Sequence, residues 1–213
     1  MRVLILGAGA VGCLVGGRLA QGGAQVTLVG REPLVSAVKA RGLMLIEGGW
    51  AVNLHRLKAT TTLPSSPSYE VGIVTVKGYD TAGLIDRLRH SPFASLPLVS
   101  LQNGVGNEAA LAAAGHPVVG GVVTVPVSLP APAVVQVHKP GQVVLAPWSY
   151  DVPDRLLWQM AAFLRAGGLP TSLVDDGCAL KWGKLLLNLI ANATCAIFHR
   201  SPAQVYDDPR TAT

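Results

Sequence analysis

The sequence predicts an α/β protein: an N-terminal domain with a mixed sheet over residues 1–172, followed by the start of an all-helical domain over residues 173–213. Three features point there. Short apolar runs alternate with helix-compatible stretches through the first half of the chain. Between residues 118 and 145, β-type runs follow one another with no helix between them. A long apolar helical stretch comes last.

The elements read in order as follows. Residues 3–6 form a short apolar run suited to a buried parallel strand, 10–21 read as a helix and 26–29 as a second strand. Residues 33–40 read as a helix with Pro33 in its first turn. Runs 43–46 and 52–57 read as strands, the first ending near Gly48-Gly49, and 64–68 as a loop. Run 71–76 reads as a buried strand and 81–90 as a helix. Run 98–101 is a strand stopped by Gln102-Asn103-Gly104, and 108–114 is helical. The β-type runs 118–127, 134–138 and 142–145 are predicted to pair antiparallel. A helix over 154–165 and a strand over 171–174 follow. A long helix then runs from Asp176 to about His199, interrupted by Ser201-Pro202, with Ala203 a candidate start for another.

Composition narrows the function classes. Of 213 residues 50% are hydrophobic and only 14% charged, enough for a core and too few charges for a disordered chain. The formal net charge is +5, but Lys and Arg are scattered and aromatics are few. That argues against a nucleic-acid partner and suits small anionic ligands. Cys13, Cys178 and Cys195 form no CxxC, so no disulfide framework or metal site is expected. Each reads as a small buried hydrophobe, as a reducing cytoplasm allows. Glycines 7, 9, 12, 16 and 17 spoil a signal-peptide reading of the N-terminus. The apolar stretch 185–198 is interrupted by Asn188 and Asn192 and is shorter than the roughly 20 residues of a membrane span. A soluble protein with no membrane partner is expected.

Gly7-Ala8-Gly9-Ala10-Val11-Gly12 matches GxGxxG and lies between a predicted strand and a predicted helix. Gly7 permits the tight turn, Gly9 lets a pyrophosphate approach the backbone, and Gly12 lets helix and strand pack closely. The helix N-terminus offers free N–H groups and partial positive charge to phosphates. This predicts a Rossmann-type dinucleotide site. The second strand ends in Val29-Gly30-Arg31-Glu32, where NAD sites usually carry an acidic residue for the ribose 2′-OH. Arg31 predicts a 2′-phosphate, hence NADPH/NADP+. Glu32 turned inward, or Arg31 as a plain surface residue, is the alternative.

Lys77 and Asn103 end successive predicted strands, where an open α/β sheet lines its ligand crevice. A solvated loop lysine and a turn asparagine are the plainer readings. Lys184, Asn188 and Asn192 stand at i, i+4 and i+8 on a helix apolar nearly all round, which implies burial. Buried Lys and Asn need partners, supplied either by a ligand-filled cleft or by neighbouring helices. Lys181, one turn earlier, reads as solvent-facing. A lysine beside a reduced nicotinamide can stabilise and protonate the oxygen of a carbonyl that receives hydride. The five histidines make no ligand-spaced cluster, and GxSxG, HExxH and P-loop motifs are absent.

Together these motifs resemble the 2-dehydropantoate 2-reductases, or ketopantoate reductases. The resemblance rests on Gly7 to Gly12, Arg31, Val76-Lys77, Gln102-Asn103-Gly104-Val105-Gly106, and Trp182-Gly183-Lys184-Leu185-Leu186-Leu187-Asn188 with Asn192. It implies NADPH-dependent reduction of 2-dehydropantoate to pantoate, a step toward pantothenate and coenzyme A. Lys184 would be the general acid. Asn188 and Asn192 would hold the substrate, while Lys77 and Asn103 would serve both substrate and cofactor. Family members are normally longer, with later helices that bring a substrate-binding Ser and an organising Glu. The chain stops at Thr213, so a truncated helical domain is expected. Its uncovered apolar helix implies self-association, a homodimer foremost. A non-catalytic NADP-binding protein and a reductase for another branched 2-oxoacid stay open as alternatives.

Overall fold

Continuous apolar runs such as Val-Leu-Ile-Leu suit strands covered on both faces, and such strands form the middle of the larger of two sheets. A computed structural model describes residues 1–66, 68–189, 194–201, 204–205 and 208. Its elements are β1 (Arg2–Leu6), α1 (Ala10–Gln21), β2 (Gln25–Val29), α2 (Glu32–Arg41), β3 (Leu43–Glu47), β4 (Trp50–Leu54), β5 (Lys58–Thr60) and β6 (Val71–Val74). A 3-10 turn (Gly78–Asp80), α3 (Thr81–Arg89), β7 (Leu98–Ser100), α4 (Asn107–Ala113), β8 (Val118–Val123), β9 (Val127–Ala131) and β10 (Val134–Val137) come next. The remainder is β11 (Val143–Pro147), α5 (Asp154–Ala166), β12 (Thr171–Leu173), α6 (Gly177–Asn188) and α7 (Thr194–Phe198).

The larger sheet has the order β12-β11-β8-β7-β6-β1-β2-β5. All its pairings are parallel except β8 with β11. Side chains of β1 alternate between two cores, as a two-residue period requires. Val3 and Ile5 join Leu14 and Leu19 of α1, while Leu4 and Leu6 join Leu84 and Leu88 of α3 and Leu111 of α4. Strand order reverses at β1, which has β2 on one side and β6 on the other. That reversal opens a crevice at the carboxyl ends of the strands. The fold is mixed α/β with a Rossmann-type sheet, as expected.

The second sheet, β4-β3-β10-β9, differs from the sequence expectation. Strand β9 pairs antiparallel with β10, and β8 with β11, as anticipated. But β10 also pairs parallel with β3, joining two hairpins distant in sequence. The run read as 118–127 is two strands, broken before β9 at Pro126, which has no N–H to donate. The run read as 52–57 is strand only through Leu54, and β5 begins beyond it at Lys58. Its first part pairs with β3 in the small sheet, and the chain then crosses to place β5 beside β2. Leu43, Leu45, Val135 and Val137 bring the small sheet into the same core as α1.

The predicted long helix is seen as α6 and α7, on either side of residues 190–193, which lie outside the described set. Ala203 lies outside it too. The helix is not buried all round: Trp182, Leu186, Leu187 and Leu189 are exposed. Among the cysteines only Cys13 is buried; Cys178 is exposed and Cys195 half-buried, because the last helices carry an open face. Among the described residues no helix is long and apolar enough to cross a membrane.

Candidate functional site

Gly7 has φ +110°, and a Cβ there would lie 2.6 Å from the Val76 amide nitrogen, so only glycine fits this turn. A Cβ on Gly12 would stand 2.4 Å from the Gly7 carbonyl oxygen and 2.6 Å from Thr75 Oγ1. Helix α1 therefore seats tightly on the loop. Thr75 locks the arrangement by donating to the Gly7 carbonyl at 2.7 Å. Above Gly9 there is open space: a built Cβ meets nothing within 4 Å.

The Gly7 and Ala8 amides both donate to the Val29 carbonyl, at 3.2 and 2.9 Å, which fixes the loop to β2. The Cys13 amide makes the first bond of α1, to the Gly9 carbonyl at 2.8 Å. The amides of Ala10, Val11 and Gly12 precede it and have no carbonyl four residues back within the helix. They are what α1 offers to an anion. The open space over Gly9 and these amides fit the pyrophosphate of a dinucleotide.

This loop lines a cleft of about 1330 Å³. Gly7, Ala8, Gly9 and Ala10 form one wall, and Arg31, Lys77 and Arg87 bring cations to it. Arg31 precedes the first turn of α2 and is exposed. Glu32 lines the cleft too, and its Oε1 accepts from Ser36 Oγ of the same helix at 2.6 Å. Lys77 follows β6 and starts the 3-10 turn. Sequence reasoning gave no role to Thr75, Tyr79 or Arg87, which also line this cleft. Thr75 had a usable signal, being a polar residue at the end of an apolar strand.

Asn103, Lys184 and Asn188 are not in the lining of that cleft. Asn103 is exposed, just past β7, and its carbonyl accepts from Asn107 Nδ2 at 3.3 Å. Lys184 and Asn188 are half-buried on α6, which packs on β8 and β11. Among the described residues the Lys184 ammonium has no hydrogen-bond or ion-pair partner. Asn192 lies outside the described residues.

Lys181 corrects the reading of a solvent-facing lysine. It is 2% exposed and forms an ion pair at 2.8 Å with Glu108, which is 0% exposed. Its Nζ also donates to the carbonyl of Gln102, and to that of Gly121 at 3.4 Å. Residues at i, i+3 and i+7 lie within about 60° of one another on a helix, so Lys181, Lys184 and Asn188 share a face. That spacing was the overlooked signal. Ser100 Oγ donates to Glu108 Oε1 at 2.6 Å, and Gln102 Nε2 donates to the Val76 carbonyl at 3.0 Å and to Thr81 Oγ1 at 2.8 Å. Among the described residues no group of His, Cys, Asp and Glu could hold a metal ion.

A doubly wound sheet with a glycine-lined cleft at its strand reversal defines a dinucleotide-binding protein. The family model described as Ketopantoate reductase PanE/ApbA matches residues 3–150. A 2-dehydropantoate 2-reductase of Pyrococcus horikoshii is 33% identical over 208 residues, covering 98% of this chain and 67% of that protein. The crystal structure of a PanE/ApbA family ketopantoate reductase from Ralstonia eutropha JMP134 superposes with a TM-score of 0.86 at 31% identity, covering 100% of this chain and 69% of that one. A ternary structure of D-mandelate dehydrogenase with NADH and anilino(oxo)acetate has the same TM-score, 0.86, at 21% identity, and shares the fold, covering 99% of this chain and 69% of that one. The chain belongs to the ketopantoate reductase family, oxidoreductases that work with a nicotinamide cofactor. It spans about two thirds of the length of these relatives.

Proposed function

We propose that this chain carries the NADPH site and the proton-donating helix of a 2-dehydropantoate 2-reductase. It would act in the cytoplasm, on the route to pantothenate and coenzyme A, as a homodimer. The observation that carries the reading is Arg31 in the wall of the cleft that the glycine loop lines, in a chain of this family. A guanidinium there meets a 2′-phosphate with two directed N–H groups, a contact a ribose hydroxyl cannot match. The bound nicotinamide supplies hydride to the substrate's ketone carbon.

The chain's own residues do the rest. The amides at the start of α1 hold the pyrophosphate, and Lys77 and Asn103 orient the reacting groups. Asn188 and Asn192 hold the substrate by hydrogen bonds. Lys184 Nζ donates a proton to the ketone oxygen as charge grows there, which general acid catalysis makes worth about 10²- to 10⁴-fold. Among the described residues the ammonium has no partner to hold it away from that role.

The test is NADPH oxidation with 2-dehydropantoate, followed by absorbance, against a panel of other 2-oxoacids and against NADH. Preference for 2-dehydropantoate and NADPH supports the reading. Faster turnover with another 2-oxoacid overturns the substrate, and equal use of NADH overturns the cofactor.

A further inference from the structure

Buried ion pairs are poor sources of stability, since desolvation offsets most of the attraction and apolar side chains would serve as well. The pair Lys181–Glu108 is nonetheless fully enclosed. What it adds is direction. Lys181 Nζ is held by acceptors on three elements: Glu108 of α4, the Gln102 carbonyl after β7 and the Gly121 carbonyl of β8. Glu108 is itself fixed by Ser100 at the end of β7.

Two members of this network, Gln102 and Lys181, adjoin candidate site residues. Gln102 is peptide-bonded to Asn103. The Gln102 side chain grips the Val76 carbonyl, next to Lys77. Lys181 precedes Lys184 by one turn of α6. One buried network thus links three separate chain segments that bear site residues.

We propose that the Lys181–Glu108 pair is a positioning element. It seats α6 on β8 and on the end of β7, holding the Lys184 ammonium in register with the loops that carry Lys77 and Asn103. What Lys184 then does rests on the function proposed above; the seat itself does not. A displacement of about 1 Å at a reacting group can cost about 10²-fold in rate, so such a seat has catalytic weight.

The test uses the whole 213-residue chain. Lys181→Met or Glu108→Gln alone leaves one buried charge uncompensated and threatens folding, so the double variant carries the experiment. Hydrogen exchange is read peptide by peptide. Amides of α6 should exchange about tenfold faster in the double variant, with β1 and β2 unchanged. Turnover per bound NADPH, a measure that ignores unfolded protein, should fall about 10²-fold. Unaltered exchange in α6 overturns the proposal. Equal loss of protection in β1, β2 and α6 also overturns it, since the pair would then serve global stability alone. Full turnover per bound NADPH with α6 loosened overturns the positioning role. If the wild type neither binds NADPH nor reduces the oxoacid, the proposed function fails while the exchange data still decide the seat.

Discussion

The two regions of the proposed site are built by different means. The cleft beside α1 is made of backbone: a glycine loop, the first amides of a helix, and exposed cations at strand ends. The region under α6 is made of buried side chains from β7, α4 and α6 that converge from distant parts of the chain. Anion binding tolerates this openness, because charge and N–H dipoles act over several ångströms. Delivering a proton does not, because its donor must stand within hydrogen-bond reach of one atom. The first region is fixed by sterics and the second by directional bonds.

Variants should separate the two. Lys184→Ala should cut turnover by about 10²- to 10⁴-fold while NADPH affinity, measured by fluorescence titration, changes less than about twofold. A collapse in affinity would show that the regions are one. Arg31→Ala should act in reverse, with NADPH binding weaker by roughly 10- to 100-fold and NADH binding unmoved in calorimetry. An unchanged NADPH preference would remove Arg31 from the cofactor site.

Glycines should sharpen the contrast. Gly12→Ala drives a methyl to 2.4 Å from the Gly7 carbonyl and should cost about 1–3 kcal/mol in urea unfolding. Gly183→Ala in α6 meets nothing within 4 Å and should stabilise by roughly 0.5–1 kcal/mol. The smallest effect concerns thiols. Burial pushes the Cys13 thiol from 9.0 up to about 12, while Cys178 is exposed. Iodoacetamide at mildly alkaline pH should label Cys178 and spare Cys13, as peptide mass spectrometry would show. The native thiol keeps its proton where the unfolded one has lost it. Its contribution to stability is therefore full below about pH 9 and is lost as pH rises toward 12.

The glycine loop was legible because its physics is local: strand, turn and helix start occupy adjacent residues. The central strands were legible because burial on both faces leaves a continuous apolar run. The parallel pairing of β3 with β10 left no local trace, since each strand reads the same whether its partner is near or far. Lys181 was misplaced for a related reason. Its enclosure depends on Glu108 and two carbonyls that only the tertiary structure brings near. The helical face shared with Lys184 and Asn188 was present in the spacing, but periodicity alone does not say which polar residues on a face point inward.

The partnership of β3 and β10 also bears on how the chain emerges during synthesis. The hairpin of β3 and β4 leaves the ribosome with one edge of β3 bare, on the order of ten seconds before β10 can cap it. An uncapped edge is a template for pairing with another nascent chain. The crowded polysome is therefore where this edge of β3 stands open to such pairing.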